Sequence, residues 1–179
     1  MSTERHRPRV SAFLALSLDG FIAGEGNDLA WLEPYNGDSQ EETGYSALMA
    51  SADLLLMGRN SYETVLGFPE WPYGDKPVTV LTHRPATPRA HVSFRQGALA
   101  QVLSELWQEG ARHLYLDGGE VVRQGLQAGL VDELTLFWVP VVLGKGVSLF
   151  GGEPLPERLV PLSTAVLASG LVRVIYRPA

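Results

Sequence analysis

Apolar and polar residues alternate along the chain in blocks that predict strands and helices in turn. Residues 9–16 are mostly apolar, which is typical of a strand buried on both faces. Residues 98–109 instead have apolar positions at helical spacing, and Gly110 is placed to end that helix. Near the end of the chain, strands follow strands around a turn at Ser169 and Gly170. The pattern therefore predicts an α/β domain with a mainly parallel sheet and a final antiparallel hairpin.

Other segments complete this prediction. Apolar runs of strand length cover residues 53–57, 77–81, 91–94, 112–116, 132–139, 159–167 and 171–176. Helices are predicted over residues 38–51, 59–66 and 121–128, with Asp38 or Ser39 suited to cap the first of them. A glycine-bearing loop over residues 17–37 joins the first strand to the first helix, and connections of that length are often functional.

The turn at residues 117–120, Asp-Gly-Gly-Glu, lies between a predicted strand and a predicted helix. Two glycines allow a sharp turn with no Cβ in the way, so the first N–H groups of the helix stay free. Those donors and the positive end of the helix dipole favour an anion. Residues 58–59, Gly-Arg, repeat the arrangement after another strand and add a cation. The sequence suggests a phosphate-bearing ligand across two strand ends, although a plain tight turn would use the same residues.

Length, charge and cysteine content narrow the class of protein. The 179 residues suit one domain, expected over residues 9–177 after a flexible tail at 1–8. The net charge of −6 argues against a nucleic-acid partner. With no cysteine and no metal-ligand spacing among the histidines, neither a disulfide framework nor a metal site is expected. No signal peptide or membrane span is expected, so the sequence favours a cytoplasmic protein with a small-molecule ligand.

Several motifs resemble, in order, those of a known superfamily. Residues 56–63, LMGRNSYE, resemble a segment of the dihydrofolate reductases. The reductase domain of riboflavin synthesis has counterparts to SLDG at 17–20, DGG at 117–119, AGLVDEL at 128–134, PVVLGKG at 140–146 and LFGG at 149–152. The resemblance covers about residues 9–176. The chain is identified as a stand-alone member of the dihydrofolate reductase / RibD C-terminal domain superfamily.

This resemblance implies an eight-stranded, mostly parallel sheet flanked by helices, with NADPH bound across the carboxyl ends of the strands. The cofactor residues that it implies are Gly118, Gly119, Glu120 and Val121 at the pyrophosphate; Gly58, Arg59 and Ser61 at the other phosphate groups; Thr82, His83 and Arg84 near the 2′-phosphate; and Ala15 and Ile22 on the nicotinamide side. An acidic residue after the third strand would hydrogen-bond to the ribose 2′-hydroxyl and favour NADH. No acidic residue follows that strand, so NADPH is preferred.

The candidate catalytic residues are Asp19 and Glu42. Asp19 suits either a proton relay or an Asx-turn with its own backbone. Glu42 falls where dihydrofolate reductases place the acid that holds the pterin ring, but it also lies in a charge run typical of an exposed helix face.

The candidate substrate residues are Phe21, Trp31, Tyr45 and Trp71. Phe21 stands where the riboflavin enzymes usually carry lysine, which puts a ribosyl-phosphate substrate in doubt. Tyr45 lies one turn after Glu42, and the two tryptophans suit either a pocket wall or ordinary packing.

The sequence thus predicts an NADPH-dependent reductase of a small heteroaromatic, pterin- or pyrimidine-like substrate. Two alternatives stay open: a 5-amino-6-(5-phosphoribosylamino)uracil reductase-like enzyme of riboflavin biosynthesis, and a nucleotide-binding module of the same fold without catalysis. The apolar stretch at residues 137–150 is expected to pair with a second copy, because related domains commonly form homodimers.

Overall fold

A computed structural model of the chain describes residues 6–179, and the polypeptide is built around one large sheet. The strands are β1 (Arg9–Ser17), β2 (Phe21–Ala23), β3 (Leu54–Gly58), β4 (Val78–Leu81), β5 (Val92–Arg95), β6 (His113–Asp117), β7 (Glu133–Val139), β8 (Val147–Ser148), β9 (Leu159–Val166) and β10 (Val172–Pro178). The α-helices are α1 (Gln40–Thr43), α2 (Tyr45–Ser51), α3 (Arg59–Leu66), α4 (Leu99–Gln108) and α5 (Gly119–Gln127).

Eight of these strands form the sheet, in the order β5-β4-β3-β6-β1-β7-β10-β9. All pairs from β5 to β7 are parallel, whereas β10 runs antiparallel to both β7 and β9. β2 and β8 form a separate two-stranded sheet. The predicted α/β architecture, with a mostly parallel eight-stranded sheet and an antiparallel C-terminal hairpin, is confirmed.

Helices cover both faces of the parallel part of the sheet, which explains why its strands are apolar on both sides. On one face, α4 and α5 pack against residues such as Leu56, Leu114 and Leu136. On the other face, α2 and α3 pack against residues such as Leu55 and Val80. Neighbouring residues of one strand, Leu55 and Leu56, therefore belong to opposite halves of the core.

The connections change direction between β3 and β6. From β3 the chain passes through α3 to β4 on one side, and from β6 it passes through α5 to β7 on the other. Because β3 and β6 are neighbours and their following helices cover opposite faces, a crevice opens beyond their carboxyl ends. Open α/β sheets generally bind ligands at such a switch point.

The structure corrects the helix predicted over residues 38–51. Ser39 does begin it, since its Oγ accepts the Glu42 N–H at 3.1 Å in a capping box. Gly44, with φ of 87°, then breaks the segment into α1 and α2. A left-handed residue of this kind ends an α-helix, and a glycine adopts that conformation without a Cβ penalty.

The loop at residues 17–37 is also more regular than predicted, with β2 and two 3-10 turns at Glu25–Asn27 and Ala30–Tyr35. Of the predicted tail, residues 1–5 lie outside the described part of the chain. Arg7 donates from Nη1 and Nη2 to the two carboxylate oxygens of Asp132, at 2.7 and 3.0 Å. Among residues 6–179, no helix has the length and apolar character needed to cross a membrane.

Candidate functional site

A cavity of about 640 Å³ lies beyond the carboxyl ends of the parallel strands, where the connections change direction. We call it the first cavity. The sequence-predicted cofactor residues all line it: Ala15, Ile22, Gly58, Arg59, Ser61, Thr82, His83, Arg84, Gly118, Gly119, Glu120 and Val121. The structure therefore brings together, in one cavity, residues that the sequence scatters over a hundred positions.

Two helix N-termini lie at this cavity. Helix α3 follows Gly58 and helix α5 follows Gly118, and neither N-terminus has a side-chain cap. The first N–H groups of each helix thus have no intrahelical partner, and the positive ends of both helix dipoles meet at the same place. Such an arrangement is suited to binding an anionic group.

The two adjacent glycines allow close packing at the start of α5. Gly118 has φ of 100°, and a Cβ built on it would lie 2.1 Å from the Ser61 Oγ. A Cβ on Gly119 would lie 1.8 Å from the Ile22 Cδ1. Side chains at these two positions would occupy the space between α3, β2 and α5. Glycine is therefore needed both for the backbone conformation and for the approach of neighbouring elements.

Cationic and hydroxyl groups line the same cavity near the ends of β3 and β4. The Arg59 Nε donates to the Glu63 carboxylate at 2.6 Å, while its Nη1 is buried without a hydrogen-bond partner in the described structure. The Thr82 Oγ1 donates to the Arg84 carbonyl at 3.0 Å and accepts the Arg84 N–H at 3.2 Å. That pair fixes the turn containing His83. An unpaired guanidinium nitrogen in a cavity wall fits an anionic oxygen.

Sequence reasoning missed the pairing of Tyr73 with Asp117 in this cavity. The Tyr73 hydroxyl donates to the Asp117 Oδ2 at 2.9 Å, and both residues line the cavity. Burial raises the pKa of the Asp117 carboxyl, although the hydrogen bonds from Tyr73 and from the Gly118 N–H oppose that shift. Burial, with the nearby Asp117, also raises the pKa of the Tyr73 hydroxyl. Tyr73 was a candidate for a pocket wall from the sequence, and Asp117 was visible next to the glycine pair, but the hydrogen bond between them was not predicted.

Arg123, on α5, is a second lining residue without a signal in the sequence. Its Nε donates to the Leu149 carbonyl at 2.9 Å and its Nη2 donates to the Ser148 carbonyl at 2.6 Å. Its Nη1 lies 3.2 Å from the Glu120 carboxylate, one turn earlier on the helix. Arg123 thus attaches β8 and the segment that follows it to the helix whose N-terminus faces the cavity.

A smaller cavity of about 280 Å³ adjoins the first, and we call it the second cavity. Phe13, Leu14, Ala15 and Leu32 line both cavities. The sequence-predicted substrate residue Tyr45 lines the second one. Its ring centroid lies 5.8 Å from that of Phe13 and 6.3 Å from that of Tyr115.

Comparison with known proteins adds to this geometry. Residues 8–173 match the model of the RibD C-terminal domain. The chain belongs to the RibD C-terminal domain family. The Bacillus subtilis (strain 168) uncharacterized protein YwjB is 34% identical over 141 residues, which cover 77% of this chain and 80% of YwjB.

Solved structures of other family members have the same fold. A putative riboflavin biosynthesis protein from Shewanella sp. PV-4 is 34% identical, with a TM-score of 0.85 and coverage of 96% of this chain and 99% of that one. A Thermotoga maritima deaminase and 5-amino-6-(5-phosphoribosylamino)uracil reductase is 18% identical, with a TM-score of 0.72, over 97% of this chain and 57% of that one. The RibD C-terminal domain described here therefore has the dihydrofolate reductase-like fold that its motifs implied.

The two acids expected to serve catalysis in this RibD C-terminal domain line neither cavity. The Asp19 carboxylate accepts hydrogen bonds from the Ser17 Oγ at 2.7 Å and from the Leu143 and Gly144 N–H groups at 3.1 and 2.7 Å. These bonds, that of Ser17 first, lower the Asp19 pKa. The Glu42 Oε2 accepts the Ser39 N–H at 3.3 Å. Both acids stabilise turns, and a role for either in proton transfer stays a prediction that this geometry does not support.

Three of the predicted substrate residues also lie outside both cavities. Phe21 pairs with Ser148 in the small sheet. Trp31 packs against the cluster that contains Phe137. Trp71 packs edge-on against Tyr73 at 5.2 Å, in the core behind the first cavity. The reason is that the loop and insertion carrying these rings fold against the sheet and extend the core.

Proposed function

We propose that this RibD C-terminal domain is an NADPH-dependent reductase that transfers a hydride to a small heteroaromatic, pterin- or pyrimidine-like substrate. The observation that carries the proposal is the meeting of two uncapped helix N-termini with the unpaired Nη1 of Arg59 in the first cavity. Phosphate groups are the ligand chemistry that such a site suits best.

The residues present fit the parts of NADPH. The free N–H groups of residues 119–121 suit the pyrophosphate, next to the glycine backbone that no Cβ obstructs. Thr82, His83 and Arg84 line the cavity beyond β4 and suit the 2′-phosphate. No acidic residue occupies that turn, so no carboxylate is present there to accept a hydrogen bond from a ribose 2′-hydroxyl.

When bound, NADPH supplies the hydride from its nicotinamide ring. The chain's own residues position both reactants and exclude water. Ala15 and Ile22 line the cavity on the nicotinamide side, and Leu32 closes the wall toward the loop. The Asp117 carboxyl, with its raised pKa and its hydrogen bond from Tyr73, can hold a proton within the cavity.

Replacement of Arg84 tests the cofactor assignment. We expect Arg84→Ala to weaken NADPH binding roughly tenfold or more, because a charge-assisted contact with the 2′-phosphate is lost, while NADH binding stays within about twofold. Nicotinamide fluorescence titration measures both dissociation constants. Arg158→Ala, an exposed arginine outside both cavities, serves as the matched control. An equal loss for both cofactors, or no NADPH binding to the wild-type protein at millimolar concentration, would contradict the proposal.

Two alternatives are separated by their substrates. The Shewanella and Thermotoga proteins favour a 5-amino-6-(5-phosphoribosylamino)uracil reductase-like enzyme of riboflavin biosynthesis. Oxidation of NADPH with that compound and not with a pterin would select it. NADPH binding without oxidation in the presence of any pterin, aminouracil or quinone would instead select a nucleotide-binding module without catalysis.

A cytoplasmic homodimer stays part of the proposal. Within the stretch expected to pair, Phe137 is buried in its own chain at 4% exposure, whereas Val142 is 68% exposed. A dimer contact would therefore use Val142 and its surroundings and not the strand before it. Sedimentation velocity at micromolar concentration checks this, and a monomer throughout the concentration range would reject it.

A further inference from the structure

The second cavity adjoins the place where hydride transfer is proposed. It shares Ala15, on the nicotinamide side, with the first cavity, and Leu14 and Leu32 also line both. A hydride acceptor must lie against the reacting face of the nicotinamide, because the two reacting atoms approach to about 3–3.5 Å. The second cavity is therefore the space next to Ala15 in which an acceptor can lie.

Aromatic rings form much of its wall. The centroids of Phe13 and Phe137 are 4.8 Å apart, and those of Phe13 and Tyr45 are 5.8 Å apart, with tilted planes in both pairs. Tyr35 lines the same cavity from the loop. Such rings stack on or pack edgewise against another flat ring and exclude water from it. The wall thus suits a planar aromatic ligand.

The polar groups of this cavity are almost all uncharged. Asn36 and Gln40 contribute side-chain amides that match the heteroatoms of a ring. The Thr43 Oγ1 is engaged within the chain, because it donates to the Gln40 carbonyl at 3.1 Å and accepts the Tyr45 N–H at 3.3 Å. Asp38 is its one carboxylate among the described lining residues, and it accepts hydrogen bonds from the Ser169 N–H at 3.0 Å and from the Ser169 Oγ. The oxygens of Asp38 are thus engaged by the hairpin turn, although its carboxylate still contributes a negative charge beside the cavity.

No arginine, lysine or histidine belongs to the described lining of the second cavity. Arg173 lies opposite Phe137 in the sheet, and its Nη1 donates to the Glu42 carbonyl at 2.7 Å. Its Nε is buried without a hydrogen-bond partner in the described structure, but Arg173 is not a lining residue of the second cavity. A phosphate placed here would lose its hydration without a cation to replace it, and the carboxylate of Asp38 would repel it. The charge distribution is the opposite of that in the first cavity.

The volume points the same way. About 280 Å³ is just below the lower end of the usual range for small-molecule sites, which is about 300 Å³. A single ring system fits such a space.

We propose that the second cavity binds the hydride acceptor as an uncharged aromatic ring that carries no phosphate. Phe13, Tyr45 and Phe137 form the ring-binding wall, and the side-chain amides of Asn36 and Gln40 supply hydrogen bonds to the ring edge. This inference rests on the proposed NADPH-dependent reduction, whose acceptor it specifies. It also assigns the phosphate-binding groups of the chain to the cofactor alone.

The test compares two compounds that differ only in one phosphate, 5-amino-6-ribosylaminouracil and its 5′-phosphate, together with the bare ring 5,6-diaminouracil. Calorimetric titration of the protein saturated with NADPH gives the three dissociation constants. We expect each of the two compounds without phosphate to bind roughly fivefold more tightly than the phosphate ester. Tenfold tighter binding of the phosphate ester would overturn the inference, and so would binding of none of the three at millimolar concentration.

A charge added to the cavity gives a second readout. Gln40→Lys, at the exposed start of α1, places an ammonium group in the lining and removes the Gln40 amide. We expect it to shift the ratio of the two dissociation constants about tenfold in favour of the phosphate ester, because 5,6-diaminouracil loses a hydrogen bond and gains no ion pair. Gln127→Lys, at the exposed end of α5 and outside both cavities, adds the same charge as a control. Equal effects of the two variants would contradict the assignment.

Failure of this inference is distinguishable from failure of the proposed function. NADPH affinity is measured first, without any acceptor, and depends on the first cavity. If NADPH fails to bind, the cofactor assignment is wrong, and the effect of Gln40→Lys on the three ring compounds still reports whether they bind in the second cavity. If NADPH binds and the phosphate ester is preferred, the reductase proposal stands and the acceptor class is wrong.

Discussion

The two cavities share a wall but differ in what they are made of. The anion-binding part of the first is mainly backbone: glycines, two helix N-termini and a turn with Thr82 and Arg84, with the Arg59 Nη1 unpaired in the described structure. The second is built from side chains, chiefly aromatic rings and uncharged amides. The first suits a ligand with several negative charges, and the second suits a flat neutral one. Because the two adjacent cavities favour different kinds of ligand, the cofactor and the acceptor would each bind in its own cavity.

The largest expected effect comes from closing the first cavity at its glycines. Gly118→Ala puts a Cβ 2.1 Å from the Ser61 Oγ at a residue with φ of 100°. We expect it to weaken NADPH binding roughly 30-fold or more, because the start of α5 must shift away from the phosphates, and to cost about 1–3 kcal/mol of stability. Fluorescence titration and thermal unfolding measure the two effects.

Gly129→Ala is the matched control for that variant. Gly129 also has a left-handed backbone, with φ of 65°, but nothing lies within 4 Å of its Cβ position. It should lose stability and keep its affinity for NADPH. Similar affinities for both variants would show that the glycine turn does not bind the cofactor.

A smaller effect is expected from the aromatic wall of the second cavity. Tyr45→Leu removes one ring of the wall, and an aromatic pair contributes about 0.5–1.5 kcal/mol, so the acceptor ring should bind roughly fivefold more weakly. NADPH affinity should stay within about twofold, because Tyr45 does not line the first cavity. Calorimetry with 5,6-diaminouracil measures the change. Tyr176→Leu, on β10 and outside both cavities, is the control, and an equal loss there would reject a specific role for Tyr45.

The smallest expected effect is a difference in pH dependence. Burial raises the pKa of Asp117 above its unfolded value, so the native state favours the protonated carboxyl. Its contribution to stability is fully present below the unfolded pKa and is lost as the pH rises through the native pKa. The asparagine in Asp117→Asn cannot ionise. The melting temperature of this variant should therefore increase relative to that of the wild type as the pH rises from about 4 to about 7.

Asp53 provides the opposite case on the same sheet. The N–H groups of Arg112 and His113 lower its pKa, so its contribution is present above the unfolded pKa and is lost as the pH falls through the native one. Asp53→Asn should therefore have a lower melting temperature than the wild type at neutral pH, and this difference should shrink in acid. If the difference in melting temperature between each variant and the wild type did not change with pH, the assigned protonation states would be wrong.

The difference between the cavities also explains what the sequence could reveal. The first cavity uses short contiguous motifs, residues 56–63 and 117–120, whose glycines and charges have a physical meaning at the ends of strands. The alternation of apolar strands and helices predicted a mainly parallel sheet, and the resemblance implied its eight strands, whereas the order of the strands was not predicted. By contrast, the second cavity gathers residues from Phe13 to Leu171, of which the sequence predictions named only Tyr45 as a substrate residue. Only the folded chain shows that they share a space.

Two local features were beyond sequence reasoning for other reasons. Gly44 breaks a segment whose caps and apolar spacing favoured one helix, because a left-handed glycine serves at once as the end of α1 and the start of α2. Tyr73 and Asp117 are 44 positions apart, and their hydrogen bond depends on how the insertion after α3 folds back over the sheet. Pairings of that kind are set by tertiary packing and have no local pattern.

Leu32 lines both cavities, so each of the two ligands restricts the conformations of the same side chain. Once either ligand is in place, the conformations of Leu32 are restricted, and the second ligand meets a side chain that has already lost part of its entropy. Thermodynamic reciprocity then requires that each ligand changes the affinity of the other by the same factor. The proposed reductase would thus show cooperativity between its two cavities, and a steady-state analysis would detect it as a dependence of the apparent affinity for each ligand on the concentration of the other.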